Sequence, residues 1–142
     1  MNRFFSAKPL WPQTGLAVVR IITGLFLIYH GWELFSPAKM NEYLQWDQFK
    51  HDFGKFITYA GKAAELIAGI LLVLGLFTRI ACMLTAGVML FIIFKLGNGI
   101  VWYNDQHPFL FVLIVLLLFC NGPGSFALDH SIFKKRQRKL IV

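Results

Sequence analysis

The sequence predicts an all-α integral membrane protein in which four transmembrane helices form a bundle. Hydrophobic residues make up 57% of the 142 positions and charged residues only 15%, against about 25% charged residues in soluble domains. The mean hydropathy is +0.61, and the 15 Phe residues are more than a small soluble core can bury. This composition excludes a disordered chain, a disulfide-rich secreted module and an ordinary cytosolic enzyme. The length predicts a single domain over residues 1–142.

Four apolar stretches predict the transmembrane helices, because a helix needs about 20 residues to cross the bilayer core. The first stretch is too long for the apolar part of a signal peptide and contains Arg20 and His30, so we expect it to be retained. The last helix should end at the run Asn121-Gly122-Pro123-Gly124, which interrupts helical structure. The predicted helices span residues 14–35, 57–77, 80–96 and 105–120.

The distribution of Lys and Arg predicts the topology. The net charge is +7, and five basic residues lie in the tail 130–142. Arg3, Lys8 and Arg79 fall on the same side of the predicted membrane as this tail, whereas acidic residues balance the basic ones on the other side. The positive-inside rule therefore places both termini in the cytoplasm, at the inner membrane. Because no aromatic residues are interleaved with the basic run, we do not expect nucleic-acid binding.

The segment between the first two predicted helices, residues 36–56, has the spacing of an amphipathic helix. Ser36 and Pro37 suit its N-cap and first position, and Gly54 suits its end. Two interpretations fit the pattern: a helix that lies in the outer membrane interface, or a lid over the outer mouth of the bundle. The apolar residues that recur every three or four positions are Met40, Tyr43, Trp46, Phe49 and Phe53.

Five ionisable residues in the predicted helices are candidate ligand or proton sites, because a charge in the bilayer is costly unless it is paired or hydrated. From the helical rise, His30, Lys62 and Glu65 share a depth near the outer surface, whereas Arg20 lies nearer the cytoplasm. Glu33 follows His30 at a spacing of three, as Glu65 follows Lys62, so each pair can interact within its helix. Such a group could bind a polar head group such as a quinone carbonyl, or relay protons. Alternatively, these residues only fix the helix register through ion pairs.

Other constellations are weaker indicators of chemistry. His30 and His107 can share a depth, and two histidines can ligate a haem. Cys82 and Cys120 lie near the cytoplasmic ends of their helices without a C-x-x-C motif, so we expect core thiols rather than a redox pair. The remaining histidines lie in flanks without ligand-like neighbours, and we expect no metal site.

Three motifs occur in order along the chain: Arg20-x3-Gly24-x5-His30-Gly31-Trp32, the stretch 65–79 from Glu65 to Thr78-Arg79, and the stretch 122–129 with Gly-Pro-Gly and Leu-Asp. They resemble the motifs of DoxX-like membrane proteins, and the resemblance covers residues 15–130. It implies a four-helix inner-membrane protein linked to oxidoreductase systems, since some members are described as the small membrane subunit of a thiosulfate:quinone oxidoreductase. The matching positions imply family roles for Arg20, His30 and Glu65.

This chain departs from the family pattern at two positions. A Lys is usual a few residues after His-Gly, but Glu33-Leu34-Phe35 follows Trp32 here. Ala127 precedes Leu-Asp where Ser is common. If the missing Lys binds an anionic or quinone ligand in the family, its absence weakens a direct transfer of thiosulfate oxidation to this chain.

The resemblance and the ionisable residues together favour a membrane subunit of a redox system that binds quinone near His30, Lys62 and Glu65. In this hypothesis Glu65 or His30 handles the proton, and Lys62 or Arg20 binds the anionic form. A non-enzymatic scaffold or accessory subunit of another membrane complex is the alternative, and a conduit for a small solute or protons is a third hypothesis. The expected partners are the bilayer, a protein subunit of a membrane redox complex and, through the Phe-rich outward faces, a second copy of the chain.

Overall fold

The computed structural model describes residues 11–130 and 132, and this part of the chain forms helices and turns without any strand. The all-helical prediction is therefore confirmed. Arg3, Lys8 and the predicted basic tail beyond residue 132 lie outside the described residues. The α-helices are α1 (Pro12–Gly31), α2 (Pro37–Leu44), α3 (Gly54–Leu74), α4 (Thr78–Phe91) and α5 (Gln106–Asn121). Single 3-10 turns cover Trp32–Phe35 and Asp47–Phe49, and a π turn, Ile92–Leu96, extends α4.

Three segments are long and apolar enough to cross a membrane: Pro12–Phe35, Gly54–Leu74 and Thr78–Leu96. Helix α5 is apolar but has only 16 residues, so the fourth crossing stays a prediction. The outward faces of these helices are apolar as well, and Phe26 and Phe94 are more than half exposed. Exposed apolar faces of this extent are suited to contact with lipid rather than with water.

The long helices pack in sequence, with α3 between α1 and α4, and α4 against α5. Because α1 and α3 run antiparallel, the bundle has two chemically distinct ends. We call them the α2 end, where α2 lies beside the end of α1 and the start of α3, and the Gly75 end, where α3 turns into α4. Between them lies an apolar core formed by Leu27, Leu72, Ala81, Cys82, Met89, Phe111, Val115 and Leu118.

Glycines allow α1 and α3 to approach closely. A Cβ atom on Gly31 would lie 2.4 Å from the backbone nitrogen of Leu66, and one on Gly24 would lie 2.8 Å from the carbonyl oxygen of Gly69. Small residues at a membrane helix interface permit this backbone-to-backbone packing, which supplies van der Waals and hydrogen-bond energy where lipid weakens the hydrophobic effect. The contact also fixes which side chains meet across the two helices.

Helix α3 ends earlier than the predicted boundary at residue 77. Gly75 adopts a left-handed conformation with φ of 62°, which glycine adopts without steric penalty. The N–H of Leu76 donates to the carbonyl of Leu71 at 3.0 Å, and the N–H of Gly75 donates to Leu72 at 3.1 Å. This is a Schellman termination, which stops α3 at Leu74 and turns the chain towards α4.

The segment 36–56 differs from the single amphipathic helix that its pattern predicts. Ser36 is the N-cap of α2, as expected, and accepts a hydrogen bond from the Lys39 N–H at 3.5 Å. Gly54, however, begins α3 and does not close the preceding helix. The reason is a tight fold-back, since a Cβ atom on Gly54 would lie 1.8 Å from the Phe49 carbonyl oxygen. The predicted start of the second span at residue 57 is therefore three residues late.

We predict that Gly31→Ala destabilises the fold by about 1–3 kcal/mol, because the added methyl meets backbone atoms that cannot rotate away. The midpoint of thermal unfolding in mild detergent measures the effect. Gly15→Ala is the matched control, since Gly15 also lies in α1 but no atom of the described residues lies within 4 Å of the added Cβ. A Gly31→Ala protein as stable as Gly15→Ala would contradict the close packing of α1 on α3.

Candidate functional site

An ion cluster lies at the α2 end of the bundle. The Nζ atom of Lys62 lies 2.8 Å from Oε2 of Glu33 and 3.1 Å from Oε2 of Glu65. Exposed fractions are 15% for the Lys62 side chain, 24% for Glu33 and 5% for Glu65. The predicted pairing of Lys62 with Glu65 is present. Glu33, which by its spacing could interact with His30, pairs instead with Lys62 of α3. One ammonium group therefore contacts two carboxylates in a largely desolvated place, where removing one partner is costly.

Tyr43 of α2 completes this arrangement. Its hydroxyl donates to Oε2 of Glu33 at 2.6 Å, and the Lys62 Nζ atom lies 5.0 Å from the centre of its ring. Burial, together with the hydrogen bond to Glu33, raises the pKa of Tyr43 to about 12. The sequence pattern places Tyr43 only among the apolar positions of the segment 36–56. The feature of the sequence that indicates this contact is the polar hydroxyl of Tyr43 on an otherwise apolar helix face. We call Glu33, Tyr43, Lys62 and Glu65 the Lys62 cluster.

A cavity of about 680 Å³ lies next to the Lys62 cluster, between α3 and α4. Lys62 and Glu65 are the charged residues among those that line it, and the remaining wall is largely apolar. At the α2 end, the cavity wall includes Tyr43, Trp46 and Phe49 on one side and the π turn of α4 on the other. A π turn within an α-helical span is often found at a functional site. The cavity thus combines an apolar volume with one charged end.

His30 lies beside His107, one of the residues with which it was predicted to share a depth, and not in the cavity wall with Lys62 and Glu65. In the part of the chain that the structure describes, its ring contacts those of Tyr29 and His107, with 6.1 Å between the two imidazole centres. His107 also packs edge to face on Phe111. His30 is not among the residues that line the cavity. The two histidines that could ligate a haem therefore contact each other directly, edge to face, as an aromatic pair.

Arg20 lies at the Gly75 end and is fully buried, with 0% exposure. Its guanidinium donates to the carbonyl of Pro123 and, at 3.3 Å, to the carbonyl of Phe126. A Cβ atom on Gly75 would lie 2.7 Å from Nη1 of Arg20. Arg20 thus joins α1 to the segment that follows α5, and the structure does not bring it together with the Lys62 cluster.

Asp129 connects the segment that follows α5 to the α3–α4 turn through hydrogen bonds. Its carboxylate accepts from the N–H of Phe77 at 2.7 Å and from the N–H of Thr78 at 3.0 Å. These are free donors at the start of α4, where a negative charge is also favoured by the helix dipole. Its own N–H donates to the Gly75 carbonyl at 2.9 Å. This capping explains why α4 begins at Thr78, two residues before the predicted boundary.

The two cysteines occupy different environments. Cys82 is buried in the core, as predicted, whereas Cys120 is exposed on α5. The prediction of a core thiol is therefore wrong for Cys120, because the rotation of α5 about its axis turns this position outwards. Both cysteines are free, and no group of three His, Cys, Asp or Glu residues among the described positions is arranged as metal ligands.

Comparison with known proteins identifies the family. A family model described as DoxX matches residues 15–98, more than half of the chain. The chain belongs to the DoxX family. The matched region of this DoxX protein contains Arg20 and the three charged residues of the Lys62 cluster, while the closing segment with Asp129 lies beyond it.

Two relatives cover nearly the whole DoxX protein. One is a Haemophilus influenzae protein named "Uncharacterized protein", which is 30% identical over 143 residues, with 95% of this chain and all of that protein covered. The other is "Putative oxidoreductase CatD" of Bacillus subtilis, which is 30% identical over 129 residues, with 88% of this chain and 92% of that protein covered. No solved structure matches the chain.

We predict that Tyr43 ionises with a midpoint near pH 12 rather than at its ordinary value of 10.0. The pKa of Tyr43 is raised in the folded chain, so the protonated phenol stabilises the fold. This contribution to the free energy of unfolding is complete below about pH 10 and is lost as the pH rises through about 12. Phenolate absorbance, taken as the difference between the wild type and Tyr43→Phe, measures the midpoint. Glu33→Gln should lower it, whereas Glu42→Gln should not. A midpoint near pH 10 in the wild type would contradict the burial of Tyr43 against Glu33.

Proposed function

We propose that this DoxX protein is a multi-pass inner-membrane protein that binds quinone in the cavity beside the Lys62 cluster, as the membrane subunit of a redox system. The observation that carries the proposal is the placement of Lys62 and Glu65 at one end of an otherwise apolar cavity. Quinones have the same division, with a polar ring and an apolar substituent. A site that matches this division orients the ligand as well as binding it.

The size and chemistry of the cavity fit a quinone. Its volume of about 680 Å³ lies within the range of roughly 300–1,000 Å³ that is typical of small-molecule sites. The Lys62 ammonium can donate a hydrogen bond to a carbonyl oxygen of the ring, and the Glu65 carboxylate can accept one from a hydroxyl. When bound, a quinone supplies two-electron chemistry coupled to protons. Glu65, which is 4% exposed, is placed to hold such a proton away from bulk water.

The position of the cavity also supports a membrane-soluble ligand. The cavity lies between α3 and α4, two segments that are apolar and long enough to cross a membrane. Met83 of α4 lines the cavity and is 65% exposed on the outside of the bundle. A ligand dissolved in the bilayer therefore has a lateral route into the cavity that does not cross water. The name of the Bacillus subtilis relative, an oxidoreductase, agrees with a redox role.

For the topology, we propose that both termini lie in the cytoplasm and that the Lys62 cluster faces the other side of the membrane. Support comes from Arg79 at the Gly75 end and from the five basic residues of the tail, since positive charge collects on the cytoplasmic side. At the α2 end, Lys39 and Lys50 are each paired with an acidic residue three positions away. These pairs cancel the charges of Lys39 and Lys50.

We predict that an impermeant maleimide labels Gln48→Cys, but not Asn121→Cys, in intact cells when both native cysteines are replaced by Ala. Gln48 and Asn121 are both exposed, and they lie at opposite ends of the bundle. Labelling of both positions after permeabilisation controls for reactivity. Labelling of Asn121→Cys alone in intact cells would reverse the proposed topology.

We predict that quinone co-purifies with the full chain in mild detergent and that Gly87→Leu lowers the bound amount at least about tenfold. Gly87 lines the cavity, and within the described part of the chain no atom lies within 4 Å of an added Cβ, so a Leu side chain can occupy the ligand's volume. Mass spectrometry of extracted lipids measures the quinone per protein. Gly15→Leu is the matched control, because Gly15 is a helical glycine with equally open surroundings outside the cavity.

Two outcomes would contradict the quinone proposal. Equal quinone content in Gly87→Leu and Gly15→Leu would mean that the quinone binds elsewhere. Protein without any quinone, even after incubation with an added short-chain quinone, would favour the scaffold alternative. In that case the exposed apolar faces of α1 and α5, rather than the cavity, become the surfaces to test for a partner subunit.

A further inference from the structure

The charged end of the cavity offers more hydrogen-bond acceptors than donors. The Glu65 carboxylate, which lines the cavity, provides about four lone-pair positions, and Lys62 donates to one of them. Two of the three donors of the Lys62 ammonium are directed at Glu33 and Glu65, and the Tyr43 hydroxyl donates to Glu33, which is not part of the cavity lining. The ammonium is already shared, at 2.8 Å from Glu33 and 3.1 Å from Glu65. A ligand that brings donors is therefore matched to this end of the cavity, and one that brings only acceptors competes with the carboxylates for Lys62.

One aryl hydroxyl of the chain, that of Tyr43, already forms a hydrogen bond within the Lys62 cluster. The phenol of Tyr43 donates to Glu33 at 2.6 Å, a length typical of a hydrogen bond to a charged oxygen. Glu33 thus has two partners, the Lys62 ammonium and a phenol. Both partners are hydrogen-bond donors, and a phenol is therefore one of the groups that can satisfy a carboxylate at the α2 end.

Glu65 is the equivalent carboxylate inside the cavity, and it lacks the second partner. Its side chain is 5% exposed and lines the cavity. Among the described residues, its carboxylate accepts a hydrogen bond from Lys62 alone. A buried carboxylate oxygen that faces an apolar volume gains stability from any donor that reaches it. Glu33 accepts a hydrogen bond from the Tyr43 hydroxyl, whereas within the described residues no hydroxyl donates to the corresponding acceptor position of Glu65.

We infer that the cavity binds the reduced quinol in preference to the quinone, with one ring hydroxyl donating to Glu65 as Tyr43 donates to Glu33. This inference rests on the proposed quinone-binding function and specifies its preferred redox form. A quinone has carbonyl acceptors only, so it can use Lys62 but meets the ionised Glu65 carboxylate as acceptor against acceptor. A hydrogen bond to a charged group corresponds to a preference of about tenfold or more. A tenfold preference raises the two-electron potential of the bound couple by about 30 mV relative to the free couple.

A set of three ligands tests the inference on the unmodified protein. The full chain is reconstituted in nanodiscs of synthetic phosphatidylcholine, and calorimetry under anaerobic conditions measures the affinity for decylhydroquinone, its 1,4-dimethyl ether and decylquinone. The dimethyl ether keeps the reduced ring but has no hydroxyl donor. We expect decylhydroquinone to bind at least about tenfold more tightly than either of the others. Equal affinity for all three overturns the preference while quinone binding stands, and no binding of any of them overturns the proposed function itself.

A variant then tests whether Glu65 is the acceptor. In Glu65→Gln the preference for decylhydroquinone over its dimethyl ether should fall to within about threefold, because a neutral amide accepts a weaker hydrogen bond than a carboxylate. Glu42→Gln is the matched control, since Lys39 and Glu42 have the same spacing of three and a 3.0 Å contact but are exposed. A full preference that persists in folded Glu65→Gln would show that the hydroxyl binds elsewhere. The comparison of the three ligands on the wild type decides the inference if Glu65→Gln does not fold.

Discussion

The backbone contact between α1 and α3 is the constraint on which the site depends. Gly31 packs so closely on Leu66 that no side chain fits between the two backbones. This approach sets the end of α1 directly beside the first turns of α3, and it brings Glu33 within 2.8 Å of Lys62. A wider separation would leave Lys62 with Glu65 alone. The pairing of Glu33 with Lys62 therefore follows from the packing of small residues, which is the usual means by which membrane helices associate.

The two ends of the bundle use buried charge in different ways. At the Gly75 end, the planar guanidinium of Arg20 is bound by backbone carbonyls, and Asp129 accepts from backbone N–H groups. These partners belong to the main chain and hold the closing segment rigidly against α1 and α4. At the α2 end, Lys62 is bound by side chains, beside a cavity. Buried ion pairs add little net stability because desolvation offsets their attraction, so net stabilisation alone does not account for this cluster beside a cavity.

The segment between α1 and α3 connects the membrane helices to the cavity. Met40 and Phe49 are buried, and the hydroxyl of Tyr43 ties α2 to the end of α1. Trp46, in contrast, lines the cavity while 42% of its surface remains exposed. This division combines features of both interpretations of the segment. Aromatic residues with one polar edge are suited to a membrane interface, and the same residues form part of the cavity wall.

The sequence by itself determined the helical class, the approximate helix positions and the place of each charged residue along its helix, because these follow from hydropathy and a constant rise per residue. It also determined the pairing of Lys62 with Glu65, which is local to one helix turn. Only the tertiary structure decided that Glu33 and Tyr43 join this pair, that His30 turns to His107, and that Arg20 binds the closing segment. The physical reason is that depth along a helix is a property of one segment. The neighbour that a side chain meets depends instead on how separate helices pack and rotate against one another.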